Sequence, residues 1–412
     1  MSKNTQYDKN AGSGMFERHY VKTIVDRISE TNNPLMQVVV GPRQTGKSTM
    51  LGQALAKIDT EQFFISADDA IVPSEEWLQV EWQQARNATR SGSRPVVLVV
   101  DEIQKVPHWS LVVKSLYDAD RRNDMPVRVV LSGSSSLLLH KGLEDSLMGR
   151  FELIHSPHWS YSECFQAFGF SFDDYLYYGG YPGAARFASD DARWISYIRE
   201  AIIEPTISQD VLALEDIRKP ALMRALFRLG AMYSAQELSY TKMLGQLQDA
   251  GNTVTVAHYL DLLDKAGMLC GIQKYDAKEV RRRKSSPRFM VYDTSLMTAS
   301  SGIEKSRYLG EPDLRGHLVE SAVGARLLAR ASEEGLGVYW WREGIKEVDF
   351  VVSKGFDSLS AIEVKSGKEK GQSGMADFLS ANPNAKRIVV GGAASGACGV
   401  EEFLKDEVEL FY

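Results

Sequence analysis

Val38-Val39-Val40-Gly41-Pro42-Arg43-Gln44-Thr45-Gly46-Lys47-Ser48-Thr49 is the stretch on which the fold turns. A β-branched run meets the pattern G-x-x-x-x-G-K-S, and a helical stretch follows. Strand, loop and helix in that order are the setting in which a glycine-rich loop cradles phosphates. The glycines let backbone N–H groups turn inward, and the helix N-terminus adds partial positive charge. Lys47 is expected to reach the β- and γ-phosphates, and Ser48 to ligate Mg²⁺. Residues Gly41, Pro42, Arg43, Gln44, Thr45, Gly46, Lys47, Ser48 and Thr49 are therefore the expected contacts to a bound nucleotide, with ATP and Mg²⁺ the expected ligands.

Around this loop, short β-branched runs alternate with helical stretches. They fall at Gln37 to Val40, Gln62 to Ile65, Pro95 to Val100, Val127 to Leu131 and Glu152 to Ile154. Such alternation predicts an α/β fold with a parallel sheet and crossover helices. The run Val96 to Val100 ends in Asp101-Glu102, where Asp101 can hold Mg²⁺ through water and Glu102 can polarise the attacking water. A strand entering a solvated acidic loop is the plainer alternative. Val129-Val130-Leu131 ends in Ser132-Gly133-Ser134-Ser135, and Ser134 is the candidate polar group beside the γ-phosphate, against a simple Ser/Gly turn. Arg150 closes the helical stretch ahead of Glu152. It can act as a finger on the nucleotide of a neighbouring copy, which would make the protein a homo-oligomer. A surface arginine at a helix end is the alternative.

Taken together, Gly41-Pro42-Arg43-Gln44, Asp101-Glu102-Ile103-Gln104, Ser132-Gly133-Ser134-Ser135, Gly149-Arg150 and Gly179-Gly180-Tyr181-Pro182 resemble AAA-type ATPases. More narrowly, the chain resembles a prokaryotic family of P-loop ATPases that carry a further C-terminal domain. The resemblance spans almost the whole chain. It departs at Ser156-Pro157-His158-Trp159-Ser160, where the family more often reads Pro-Leu-Ser after a strand, but no residue of the nucleotide site is lost. The resemblance implies an ATP-dependent molecular machine.

Composition narrows the classes further. At about 150 residues per domain, 412 residues predict two to four domains. Hydrophobic residues at 44% and charged residues at 25% exclude disorder and fibre. Lys and Arg total 48 against 54 Asp and Glu, a net charge of -6, so any polyanion site must be a local patch. Cys164, Cys270 and Cys398 are too far apart in sequence for a short-range metal pair, and reduced thiols in a cytoplasm are expected. The polar start of the chain and its short aliphatic runs predict neither secretion nor a membrane span.

Downstream, Tyr161 to about Val211 reads as helical, broken at Gly179 to Gly183, and predicts a small helical lid. The glycines and Pro182 there suit either a nucleotide-responsive hinge or a structural break. From Pro220 to Tyr275 three helices are expected, with Ser234 and Glu237 as a capping box for the second and Thr255 as N-cap of the third. Strands at Met268 to Gln273 and Arg288 to Tyr292 then complete a winged-helix pattern. Lys274, Lys278, Arg281, Arg282, Arg283, Lys284 and Arg288 form a basic cluster. Arg281, Arg282, Arg283 and Lys284 at its centre are the candidate DNA contacts, against a merely soluble hairpin tip.

In the last segment, Asp349 lies in one strand, and Glu363 and Lys365 share a face of another. Asp349 and Glu363 can share Mg²⁺, Lys365 can help deprotonate a water, and Glu320 on an upstream helix is a fourth candidate. The arrangement resembles the PD-(D/E)xK nuclease fold; a surface ion pair of Glu363 with Lys365 is the alternative. The expected organisation is α/β throughout. An AAA-type P-loop core at 1–157 is followed by a helical lid at 158–213, a winged helix at 214–300 and a nuclease-like α/β domain at 301–412. The expected activity is ATP hydrolysis acting on DNA; metal-dependent, ATP-gated DNA cleavage by the last domain is a competing reading, and an ATP-controlled protein-interaction switch whose nuclease-like domain is inactive is the alternative.

Overall fold

A computed structural model describes residues 15–31, 35–91, 95–133, 146–212, 217, 219–247, 252–276, 286–355, 358–365, 372–392 and 395–412. The chain divides into two compact units, 1–156 and 157–412. The second contains all three segments that the sequence separates at 213 and 300.

The first unit holds strands β1 (Met36–Val40), β2 (Gln62–Ser66), β3 (Val96–Asp101), β4 (Val127–Gly133) and β5 (Phe151–His155). Helices α1 (Tyr20–Ile28), α2 (Lys47–Ala56), α3 (Glu75–Ser91) and α4 (Trp109–Arg122) connect and cover them. All five strands are parallel, in the order β5-β1-β4-β3-β2. Side chains alternate between two apolar layers. Val38, Val40, Leu98 and Val100 pack with Trp82 and Trp109, while Val39, Val97, Val99 and Val130 pack with Ile24, Met50 and Leu51. A parallel sheet covered on both faces has no solvent face, which explains uninterrupted apolar runs in place of alternation.

The second unit opens with α5 (Tyr161–Phe168), α6 (Phe172–Tyr178) and α7 (Asp191–Tyr197). It continues through α8 (Pro220–Met232), α9 (Tyr240–Gln246) and α10 (Thr253–Lys265) to a hairpin of β6 (Leu269–Lys274) and β7 (Arg288–Val291). Then come α11 (Thr294–Ser301), α12 (Lys305–Gly310) and α13 (Pro312–Glu334), followed by β8 (Gly337–Glu343), β9 (Lys346–Lys354) and β10 (Ser358–Lys365). A short β11 (Gln372–Ser373), α14 (Met375–Ala381), β12 (Lys386–Gly391) and α15 (Val400–Leu404) finish it. One mixed sheet, β12-β10-β9-β8-β6-β7, runs from the last segment into the hairpin, because β6 and β8 pair at Gln273↔Tyr339 and Lys274↔Trp340.

Two expected helix caps move. Asn252, not Thr255, caps α10, its side chain accepting from the Thr255 N–H at 2.9 Å. Ser239 caps α9. Ser234 is instead buried, accepting from the Val291 N–H at 3.2 Å, and Glu237 bridges to Arg288 of β7. The sequence pattern was right about cap chemistry and wrong about position, because the chain from Ala235 to Leu238 runs beside β7 before α9 begins.

The helical segment after residue 157 is knitted into its own unit. Thr298 donates to the Tyr177 carbonyl at 2.8 Å, Tyr177 to that of Ile303 at 2.7 Å, and Arg199 to that of Ala299 at 2.7 Å. At its break, the Gly180 N–H donates to Asp293 at 2.7 Å, and Asp293 also caps α11. A Cβ on Gly179 would stand 2.0 Å from the Asp293 carboxylate, and one on Gly180 would stand 2.3 Å from the Trp159 carbonyl. Close approach therefore explains both glycines, as a fixed contact in the described fold. Tyr175, Tyr177, Tyr178 and Tyr181 are buried core.

Candidate functional site

The loop after β1 is shaped by backbone crowding. A Cβ on Gly41 would lie 2.1 Å from the Ser156 carbonyl at the end of β5, so only glycine fits. Gln44 and Gly46 take positive φ angles of 59° and 88°, which turns the chain into α2. Arg18, buried beside this turn, donates to the Ser156 hydroxyl at 2.9 Å and steadies the strand end that the loop touches.

Lys47 opens α2 with its ammonium folded back over the loop, donating to the carbonyls of Gly41 at 3.0 Å and Pro42 at 2.6 Å. Thr45 donates to the Pro42 carbonyl at 3.1 Å. Ser48 donates to Asp101 Oδ2 at 2.6 Å. The strand order makes that contact: β4 lies between β1 and β3, so the ends of all three meet. Ser132, at the end of β4, donates to the other Asp101 oxygen, and the Glu102 N–H does so at 3.1 Å. Glu102 itself has a φ of 52°, and Gln104 donates to its carboxylate at 2.6 Å. A hydroxyl and a carboxylate converging at the mouth of a phosphate loop are the hard oxygen donors that Mg²⁺ takes beside a triphosphate, so Ser48 and Asp101 fit that ion. Ser132 is the residue that sequence reasoning missed. Ser134 lies outside the described residues; among the described ones, Ser132 faces Asp101.

Arg150 sits at the opposite end of the strands from the loop, just ahead of β5. Its carbonyl accepts from the Met36 N–H at the start of β1, so the length of that strand, roughly 15 Å at about 3.3 Å per residue, separates it from its own loop. Its guanidinium forms a two-pronged bridge to Asp118 of α4 at 2.7 and 3.0 Å. That bridge holds the Asp118 carboxyl below the usual carboxylate range. This placement is away from its own phosphate loop.

In the second unit, Arg281, Arg282, Arg283 and Lys284 lie outside the described residues. Arg288 does not belong to an exposed basic tip: its side chain is 5% exposed. It donates to the Asp349 carbonyl at 3.2 Å, faces Asp349 Oδ1 at 3.6 Å and Glu347 at 3.4 Å, and lies 5.2 Å over the Trp340 ring. The register Ile362↔Phe350 leaves Asp349 and Glu363 opposite each other one step on. Asp349 Oδ2 accepts from the Val364 N–H at 2.8 Å, and Glu363 pairs with Lys365 at 2.7 Å. Burial pushes the Asp349 carboxyl up to about 6; Arg288 opposes the shift, and Glu320 and Glu347 add to it. Glu320 lies 3.8 Å from His317 on the same helix. Among the described residues no three His, Cys, Asp or Glu side chains are grouped to hold a metal. The expected Mg²⁺ between Asp349 and Glu363 does not fit this arrangement, because one Asp349 oxygen is taken by a backbone N–H, the other faces a guanidinium, and Glu363 is paired with a lysine.

No helix among the described residues is long and apolar enough to cross a membrane. Residues 169–307 match a domain of unknown function (DUF8612), and residues 315–397 match another (DUF4143). An uncharacterized protein of Haemophilus influenzae is 21% identical over 379 residues, covering 87% of this chain and 89% of that one. An uncharacterized protein of Mycobacterium tuberculosis is 29% identical over 309 residues, covering 74% of this chain and 64% of that one. Among solved structures, the Aeropyrum pernix ORC1 protein in complex with DNA aligns over 68% of this chain and 91% of that one at 12% identity, with a TM-score of 0.30. The Thermotoga maritima RuvB Holliday junction branch migration motor aligns over 62% and 90% at 15% identity, with a TM-score of 0.31. These superpositions are loose, and the fold reading rests on the strand order and the loop. Residues 33–165 match the AAA domain family, and the meeting of Ser48 and Asp101 at the mouth of the phosphate loop is the geometry by which this part of the chain resembles an AAA-type P-loop domain.

Proposed function

We propose that this chain is a cytoplasmic enzyme that binds and hydrolyses ATP with Mg²⁺ and acts on DNA. The observation that carries the first part is the Ser48–Asp101 contact at 2.6 Å, with the Lys47 ammonium beside it. When ATP enters, Lys47 exchanges two loop carbonyls for phosphate oxygens, while the N–H groups at the start of α2 face the β-phosphate. Ser48 and Asp101 would hold Mg²⁺, which supplies positive charge where the leaving phosphate gains negative charge. Glu102, fixed by Gln104, orients and polarises the attacking water. Arg150, released from Asp118, would stabilise charge on the γ-phosphate of a neighbouring copy, which makes a homo-oligomer the working form.

The DNA part has separate support. Helices α8, α9 and α10 followed by an antiparallel hairpin, with residues 235–238 running beside β7, follow the order of a winged helix. Arg281, Arg282, Arg283 and Lys284 lie in the connection between the two hairpin strands. The order α13-β8-β9-β10-α14-β12 likewise supports a nuclease-like module. A second reading, an ATP-controlled protein-interaction switch whose nuclease-like domain is inactive, is favoured by one observation: Arg288 faces Asp349 where a metal-dependent nuclease would need open oxygens. Cys164, Cys270 and Cys398 are not joined by a disulfide, which suits a reducing cytoplasm.

The test is ATP turnover by the full chain with no DNA and with duplex, branched and single-stranded DNA, with the DNA products inspected alongside. The proposal expects turnover that needs Lys47 and rises with DNA. Turnover that Lys47→Ala leaves intact overturns the ATPase assignment. Absence of both DNA stimulation and low-salt DNA retention leaves the switch in its place. Cleavage with Mg²⁺ or Mn²⁺ that is lost in Asp349→Ala would assign a nuclease to the second unit.

A further inference from the structure

One face of α4, in the first unit, turns outward with charges almost all of one sign. A shallow cleft of about 460 Å³ lies along it, lined by Leu111, Lys114, Ser115, Asp118, Arg121 and Arg122. These positions recur at intervals of three and four residues, so their side chains stack on one side of the helix. The other acid of α4, Asp120, belongs to the covered side: it is buried and accepts from Trp82 at 2.7 Å and from Arg86. Asp118 is therefore the one carboxylate that lines the cleft.

That carboxylate is already neutralised by Arg150, which donates to both of its oxygens. Lys114 and Arg122 add only longer-range attraction to it, and neither forms an ion pair among the described residues. Arg122 donates instead to the Asp118 carbonyl at 3.2 Å. Arg121 donates to the Tyr117 hydroxyl at 3.1 Å and lies 5.7 Å over its ring. Arg128, at the start of β4, is near enough to Tyr117 for the two to interact electrostatically, and its buried Nε–H has no acceptor among the described residues. With Asp118 occupied by Arg150, the cleft presents the three positive charges of Lys114, Arg121 and Arg122, on a chain whose net charge is -6. Gathered like charges repel one another, and a multivalent anion removes that cost.

We propose that this face of α4 seats the phosphate backbone of DNA. Lys114 and Arg122 are eight positions apart, about 12 Å along the axis at about 1.5 Å per residue. A nucleic-acid strand carries a charge about every 3.4 Å of its axis, so a single strand meets cations at both ends of the cleft. The exposed Ser115 hydroxyl lies between them, and Arg, Lys and Ser are donors suited to phosphate oxygens. The cleft is shallow, with Leu111 its one aliphatic side chain, so it offers a chain of phosphates partners along its length and gives an apolar peptide anchor no pocket. Such contacts hold a duplex in place without reading its bases. The proposal rests on the reading that the chain acts on DNA, and it adds a contact in the first unit that is independent of the hairpin in the second.

The experiment is fluorescence anisotropy of a labelled DNA duplex of mixed sequence with the full, nucleotide-free chain, from about 50 to about 200 mM salt. Wild type is compared with the triple variant Lys114→Gln/Arg121→Gln/Arg122→Gln, and melting curves check that both fold. Each lost phosphate contact lowers the salt slope by about 1. The triple variant is therefore expected to bind at least about tenfold more weakly at low salt, with a slope lower by about 2 to 3. Unchanged affinity and slope overturn the proposal and leave the DNA reading standing, with the duplex held elsewhere. No duplex binding by wild type at low salt overturns the DNA reading itself, and this contact with it. A labelled poly-glutamate peptide is the second probe: a triple variant that loses the peptide and keeps the duplex assigns the cleft to an acidic protein segment and overturns the proposal. If the triple variant does not fold, Asp118→Asn decides. It frees the Arg150 charge and is expected to tighten duplex binding and steepen the slope by about 1; no change overturns the proposal.

Discussion

Ser48 and Asp101 stand 53 positions apart in the chain, and the serine hydroxyl donates to the aspartate at 2.6 Å. Neither side chain makes a metal site alone. The contact exists because β4 is inserted between β1 and β3, bringing Ser132 against the same carboxylate. Residues that act as one unit show strong non-additivity on removal. Ser48→Ala and Asp101→Asn are each expected to lower Mg²⁺-dependent kcat by at least about tenfold, and the double variant should be little worse than the poorer single one. Steady-state turnover of the four proteins measures this. Fully multiplicative losses would mean the two residues act in separate places.

Glu102 follows Asp101 in a left-handed backbone conformation, its carboxylate held by Gln104. A residue that orients water contributes in the transition state rather than in binding, so Glu102→Gln should keep ATP affinity and lose about 10²–10⁴-fold in kcat. Lys47→Ala should do the converse to affinity, since its ammonium is placed to contact phosphate in the ground state. Fluorescent-nucleotide titration with turnover separates the two. Normal turnover by Glu102→Gln would remove it from the mechanism.

The nucleotide site was legible in sequence because its parts are local: a strand, a glycine-rich loop and a lysine within a dozen residues, and an acidic pair at a strand end. What could not be read was the strand order, which brings the parts together and sets Ser132 against Asp101. Arg288 was hidden for a related reason. A run of basic residues looks like a surface in sequence, but β7 carries this one into the interior beside Asp349. The glycines at 179 and 180 suited a hinge and a structural break equally, because flexibility and close contact use the same residue. Only the position of Asp293, more than a hundred residues later, distinguishes the two.

That contact predicts a large packing cost at a site with no role in chemistry. A methyl group at position 180 would meet the Trp159 carbonyl at 2.3 Å, and backbone cannot rotate aside as a side chain can. Gly180→Ala should therefore destabilise the second unit by about 1–3 kcal/mol or more. Gly245→Ala, where an added Cβ meets nothing within 4 Å, should be neutral or slightly stabilising. Chemical unfolding curves of both variants test the contrast, and equal effects would refute the close-approach account.

The Asp349 carboxyl supplies a pH prediction with a definite sign. Burial lifts it to about 6 from an ordinary 3.8. The folded state thus holds this proton more tightly than the unfolded chain does. Its contribution to stability is complete below the unfolded value, near pH 4, and is lost as pH rises through about 6. The gap corresponds to about 3 kcal/mol, as an order of magnitude. Asp349→Asn cannot ionise and should lack this dependence, although losing the Arg288 partner gives it a constant offset. The stability difference between Asn and wild type should therefore shift in favour of Asn between about pH 4 and 7. Unfolding of the two proteins across that window, followed by tryptophan fluorescence, measures it. Parallel pH profiles would mean that Asp349 ionises in the fold as easily as in water, and that Arg288 neutralises it fully.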